Sequence, residues 1–118
     1  WFMNQSGKVN GYTKAIWSGV TTLILAKSVF WAIENKITGL YHVTNNKTID
    51  KFKLLTLIKT HTQKNIIIKP FDGKKINKSF IDTRNEIDFI IPSYDVMIED
   101  MVHMIKQNKK LYNQYKLE

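Results

Sequence analysis

The chain has 118 residues, the length of a single domain with material for one modest core. At 43% hydrophobic and 24% charged it is too apolar for disorder, and without cysteine it has neither a disulfide framework nor a thiolate metal site. Lys plus Arg number 18 against 10 acidic residues, and the net charge of +8 attracts anions: nucleic acid, anionic lipid or a phosphorylated small molecule. A composition rich in Lys, Asn and Ile accounts for the same charge without any partner. Arg84 is the single arginine, which weakens a nucleic-acid reading because bidentate contacts to bases and phosphates favour Arg.

Residues 1–6 read as a helix end closed by Gly7. The opening WFMNQ looks like the tail of a helix from something longer, so a fragment is expected. In KVNGYTKAIW, Asn10-Gly11 carries turn chemistry with short extended pieces on either side. Beyond Thr21 and Thr22, Leu23, Ala26, Phe30 and Ile33 recur at helical spacing, with Leu25 and Val29 beside them. They predict a core-facing helix of about four turns, which a threonine is suited to cap. ITGLYHVT (37–44) reads as a buried strand after a Gly stop. Asp50 is the predicted N-cap of the next helix, whose apolar face is Phe52, Leu54, Leu55 and Ile58. NIIIKP (65–70) is a second short strand ended by Pro70, and the following charged segment is irregular with a turn at Asp72-Gly73. Pro92, a Ser93 cap and the stripe Tyr94, Ile98, Met101, Ile105 predict a long C-terminal helix. Strands alternating with helices indicate α/β organisation, yet two strands make a poor sheet by themselves, which again points to a piece that packs on a partner. No window approaches the roughly 18 apolar residues of a membrane span. The N-terminus does not resemble a signal peptide, and a cytoplasmic location is expected.

Most candidate chemistry has a plain structural account. His42 falls in a strand pattern, His61 near a helix end and His103 inside the last helix, and no pair has metal-ligand spacing. Asp95, Glu99 and Asp100 read as a solvated face near a helix N-terminus. Tyr112 and Lys116 have the Tyr-x-x-x-Lys spacing that sets phenol and ammonium on one helix face. That spacing arises easily by chance in a Lys-rich chain, and these residues occupy a terminal segment expected to fray. The five glycines are isolated and form no dinucleotide or P-loop fingerprint. Loop 17–22 and segment 74–84 remain. Gly19 permits close approach, Ser18, Thr21 and Thr22 offer hydroxyls, and Trp17 offers a flat apolar wall, a mixture that suits a sugar or nucleotide pocket. Lys74, Lys75, Lys78 and Arg84 offer cations for a phosphate or diphosphate. A capped helix with a buried Trp, beside an ordinary charged loop, accounts for the same residues.

NGYTKAIWSGVTTLILAK, then ITGLYHVTNN…IDKFKLLTLI, then KSFIDTR…IPSYDVMIEDM…LYNQY form an ordered set covering nearly the whole chain. The set resembles the C-terminal part of the extended short-chain dehydrogenase/reductase superfamily, and within it the sugar-nucleotide reductases of the dTDP-4-dehydrorhamnose reductase type. The resemblance implies an α/β fold: residues 1–118 as the single C-terminal substrate-binding domain of a Rossmann-type enzyme, without most of the Rossmann sheet. The glycine fingerprint, the catalytic Tyr-x-x-x-Lys and most of the NAD(P)H site would then lie upstream of Trp1; Tyr12 with Lys14 has the wrong spacing to replace them. No cofactor is expected on this segment by itself, and it carries no catalytic residue of its own.

By the same resemblance, Trp17, Thr21 and Thr22 would hold the sugar, while Lys78, Ser79 and Lys75 would lie at the nucleotide diphosphate. Two positions depart from the family pattern. Lys78 stands where Arg is more frequent, which loses a bidentate phosphate fork, and Ile24 stands where an acid is common. The implied partners are a nucleotide-diphosphate sugar and the missing Rossmann domain, with a homodimer as a further expectation. The implied reaction is hydride transfer to the C4 ketone of a nucleotide-linked deoxy sugar. Epimerase and dehydratase activities stay open, as does a small basic module binding nucleic acid or another anionic partner.

Overall fold

The computed structural model describes residues 1–84, 86, 88–115 and 117. After a 3-10 turn at Phe2–Asn4, strand β1 (Lys8–Tyr12) runs parallel to β4 (Ile67–Phe71), with Val9 opposite Ile68. A second sheet has β2 (Ala15–Trp17) at its centre, antiparallel to β3 (Ile49–Asp50) and parallel to β5 (Ile76–Lys78). Parallel neighbours need long crossovers, and α1 (Thr22–Glu34) and α2 (Lys51–Thr62) supply them. Helix α3 (Tyr94–Gln107) packs on α2.

The helix starts obey local chemistry. The side chains of Thr21, Asp50 and Ser93 accept the amides of Ile24, Lys53 and Val96 at 3.4, 2.8 and 3.4 Å, each satisfying one otherwise orphaned donor. The last helix is shorter than its sequence predicts. Asn108 closes it, donating from its side chain to the Met104 carbonyl at 2.8 Å, and beyond it lies a 3-10 turn at Asn113–Tyr115. Of the Tyr112–Lys116 spacing, Lys116 lies outside the described residues.

Several expectations need correction. Asn10-Gly11 is no turn: β1 runs straight through it, and the chain turns at Thr13-Lys14 instead. The glycine serves packing, because a Cβ at Gly11 would stand 2.8 Å from the Cα of Phe52 in α2. Pro70 does not end its strand but pairs opposite Gly11, tolerated because among the described residues β4 has β1 as its only neighbour. The segment read as irregular contains β5, formed by its pairing with β2 rather than by its composition. Residues 37–44 form no strand; among the described residues no strand lies beside them, and Leu40 is 80% exposed. The face of α1 also differs. Ile24 and Ser28 are buried and Trp31 and Ala32 half-buried, whereas Leu25, Val29, Phe30 (63%) and Ile33 (71%) are exposed.

The main core joins Phe2, Val9 and Ile66, with Leu55, Ile58 and Ile68 packed against them, while α3 buries Met97, Ile98 and Val102. The result is a slab, 47 × 38 × 17 Å. Its radius of gyration is 15.9 Å, against about 13.5 Å for a compact domain of this length. Its accessible surface is 8332 Å², against about 6,700 Å² for a compact monomer of this mass.

Candidate functional site

Strands β2 and β5 set Trp17 beside Lys78 in register, so two side chains far apart in sequence share one sheet face. The β2–β3 pairing places Trp17 opposite Ile49, two residues before the start of α2. Lys51, the first residue of that helix, consequently lies over the indole, with its Nζ 5.3 Å from the ring centroid. Trp17, Lys51 and Lys78, with Tyr12 from the end of β1 and Lys74 before β5, line a cavity of about 320 Å³. Its remaining walls are Ala15, Ile16 and Ile76, and among the described residues the lining includes no histidine or carboxylate. Such a cavity can bind an anion against an aromatic wall.

The loop after Trp17 is built tightly. Ser18 is fully buried, and its hydroxyl donates to the Phe80 carbonyl at 2.9 Å while accepting the Phe80 amide at 2.8 Å. This clamp holds the chain beyond β5 against the chain beyond β2. Gly19 has φ +154°, and a Cβ there would lie 2.4 Å from Cζ2 of Trp17, so the indole can fold over it only because it is glycine. Tyr94, its ring 6.1 Å from that of Trp17, donates to the Lys47 carbonyl at 2.7 Å. Burial raises the Tyr94 phenol above its ordinary value of 10.0, and a backbone hydrogen bond from Gly19 offsets part of that rise.

Of the six residues singled out from the sequence, the structure brings Trp17 and Lys78 together in the cavity. Thr21 caps α1 with its hydroxyl. Thr22 lines a different cavity, with Phe2, Ile58 and Met101. Ser79 turns back on Asn77, to which it donates from both amide and hydroxyl, at 2.9 and 2.6 Å. Lys75 is exposed outside the lysine cavity. Arg84, weighed with the lysines as a phosphate cation, lies elsewhere: its guanidinium is 4.0 Å from the Tyr41 ring centroid and bonded to Glu86 at 2.9 Å. Sequence reasoning missed Tyr12 and Lys51 as lining residues. No local signal marks Lys51, which the β2–β3 pairing delivers, while Tyr12 stands at the end of β1 beside the turn into β2. A third cavity, about 390 Å³, opens along the 37–44 segment between Trp31, Val43 and Phe89, with no lysine among its described lining residues.

No family model matches this chain, and no curated protein does. Solved structures do match. The dTDP-4-dehydrorhamnose reductase of Bacillus anthracis str. Ames, in complex with NADP, matches 86% of this chain and 39% of its own length, with a TM-score of 0.71 at 15% identity. The dTDP-4-dehydrorhamnose reductase of Yersinia enterocolitica matches 83% of this chain and 38% of its own, at TM-score 0.66 and 17% identity. The dTDP-glucose 4,6-dehydratase of Bacillus anthracis str. Ames, in complex with NAD, matches 93% of this chain and 38% of its own, at TM-score 0.61 and 14% identity. This chain therefore spans less than two-fifths of the length of these structures. The class defined is an α/β fold matching one part of Rossmann-type enzymes. Within that class the likeness is to sugar-nucleotide reductases and a dehydratase, as the ordered motifs implied, and at these identities it is a likeness of fold.

Proposed function

We propose that this chain is the substrate-holding part of an NAD(P)-dependent sugar-nucleotide 4-keto reductase of the dTDP-4-dehydrorhamnose reductase type. The fold match to two such reductases, over 86% and 83% of this chain, carries the reading. In the complete enzyme hydride adds to the C4 ketone of the nucleotide-linked deoxy sugar, and a proton goes to its oxygen. NAD(P)H would supply the hydride and would be bound outside this segment. The residues here bind and orient the substrate: Trp17 and Lys78 meet in one cavity, while Thr21, Thr22, Lys75 and Ser79 are the other positions that the resemblance points to.

The cofactor-binding domain would cover the exposed face of α1 and the unpaired 37–44 segment. Leu25, Val29, Phe30, Ile33 and Leu40 are apolar and in contact with water there, and burying each large side chain is worth roughly 1.5–3 kcal/mol. The surplus surface of the slab supports the same reading, as does the β-rich pattern of 37–44, which lacks a neighbouring ladder. Among the described residues no helix is long and apolar enough to cross a membrane. A cytoplasmic location belongs to this proposal because nucleotide sugars and NAD(P)H are its reactants.

Calorimetric titration of a dTDP-sugar into the chain, with a single-stranded oligonucleotide as comparison, tests the reading. Saturable nucleotide-sugar binding is expected. Steeply salt-dependent oligonucleotide binding, with no nucleotide-sugar binding, would instead establish a basic module for nucleic acid.

A further inference from the structure

Among the described residues no strand lies beside segment 37–44, and side chains tie it to the chain that leaves β5. That chain is itself anchored: the buried Ser18 hydroxyl clamps Phe80, two residues beyond the end of β5, to the chain beyond β2. Past this clamp Ile81, Asp82 and Arg84 bond to residues 40–46. His42 Nδ1 donates to the Ile81 carbonyl at 3.1 Å, and the Asp82 amide donates to Asn46 Oδ1 at 2.7 Å. Arg84 makes the last tie. Its guanidinium lies 4.0 Å from the Tyr41 ring centroid and donates to the Leu40 carbonyl at 3.1 Å and to Glu86 at 2.9 Å. Glu86 closes the cluster by also accepting the Tyr41 phenol at 3.2 Å.

This arrangement suits a joint better than an anion contact. The guanidinium already has a carbonyl and a carboxylate on two nitrogens and a ring against one face, so an arriving phosphate would have to displace Glu86. A flat cation can stack and donate in two directions at once, which an ammonium cannot do. Each contact is solvent-exposed and weak by itself, but all of them share one guanidinium and therefore hold as a unit. The joined segments face different ways. Segment 37–44, with the exposed face of α1, is where a cofactor-binding domain would sit, while the chain after β5 continues from Lys78. Hydride transfer requires those two sides at a fixed spacing, since a misplacement of about 1 Å can cost about 100-fold in rate.

We propose that Arg84 is a positioning residue: through Tyr41 and Leu40 it couples the chain after β5, on the substrate side, to segment 37–44, on the cofactor side. Which side is which rests on the reductase reading above. The role falls to a residue outside the set that the resemblance implies.

The test is residue-resolved amide hydrogen exchange on the full 118-residue chain, with and without a dTDP-sugar. The Asn46 amide, bonded to the Thr44 hydroxyl at 3.2 Å, reports one segment, and the Asp82 amide reports the other. Arg84→Ala should speed exchange about ten-fold at both and leave the amides of β1 and β4 unchanged. Tyr41→Ala, made on the opposite segment, should do the same, whereas Tyr41→Phe keeps the stack and should stay within about two-fold. Arg84→Lys should not restore slow exchange. The dTDP-sugar should slow exchange at Asn46 about five-fold in the native chain and leave it unchanged in Arg84→Ala, a response that a merely structural contact does not give. Loosening confined to Asp82, or full rescue by Arg84→Lys, overturns the joint. If the dTDP-sugar binds and Asn46 does not respond, the coupling falls and the reductase reading stands. If no dTDP-sugar binds while Arg84→Ala and Tyr41→Ala each loosen both amides, the joint stands and the reductase reading falls.

Discussion

Helices α1 and α3 begin alike and end up in opposite surroundings. They have 13 and 14 residues, and each is capped by a hydroxyl that accepts an amide at 3.4 Å. Helix α3 puts Met97, Ile98 and Val102 into the core and leaves Asp95 and Glu99 exposed. Helix α1 is the more apolar, yet it buries Ile24 and Ser28 and leaves Leu25, Val29, Phe30 and Ile33 in water. A helix forms from signals within its own turns, while the depth to which it is buried depends on what packs on it. The open face of α1 is thus evidence about a neighbour rather than a defect of the helix.

The strongest test of that contrast is a pair of truncations. Met97→Ala should lower unfolding free energy by about 2–5 kcal/mol in urea titration, because the side chain is fully buried and its loss leaves a cavity. Phe30→Ser on α1 should change stability by less than about 0.5 kcal/mol while reducing self-association in sedimentation. A large loss from Phe30→Ser would show that the face is covered within this chain.

Gly19→Ala comes next, and it sharpens the comparison at the loop leading into α1. The new Cβ would collide with the Trp17 indole, at a cost of about 1–3 kcal/mol and with altered tryptophan fluorescence. Unchanged stability and fluorescence would mean that the indole does not fold over this residue.

The caps should behave equally despite the unequal burial. Thr21→Ala and Ser93→Ala are each expected to cost about 1 kcal/mol in thermal or urea unfolding, since both remove the same kind of bond. A cost confined to Ser93→Ala would show that cap strength depends on the packing behind it.

The smallest effect is a pH dependence at the start of α3. The Tyr94 phenol titrates above its ordinary 10.0 in the folded chain, chiefly through burial, so the unfolded chain releases that proton first. Its contribution is fully present below the unfolded value and is lost as pH rises through the folded value. Tyr94→Phe should therefore flatten the alkaline fall in stability while also losing the hydrogen bond to Lys47. Parallel pH curves for the two proteins would remove the phenol as the cause.

Much of the fold was legible because its signals are local. Thr21, Asp50 and Ser93 each satisfy an amide three residues on, and the stripe Ile98, Met101, Ile105 repeats within a few turns. At the site, the sequence marked Trp17 and Lys78 but had no means of adding Lys51 or Tyr12. Lys51 enters through the β2–β3 pairing of distant segments, which no window of neighbouring residues encodes, and Tyr12 through the turn that joins β1 to β2.

Residues 37–44 show the limit most plainly. Their composition favours a strand, but a strand exists only when another supplies N–H and C=O groups along its edge, and among the described residues none does. The reverse holds at 76–78, where an unremarkable INK becomes β5 because β2 lies alongside. By itself the sequence determined where helices start, which residues are apolar and how strongly the chain attracts anions. Only the tertiary structure decided which apolar faces are covered and which lysines share a cavity, because burial and charge clustering depend on distances between segments rather than along them.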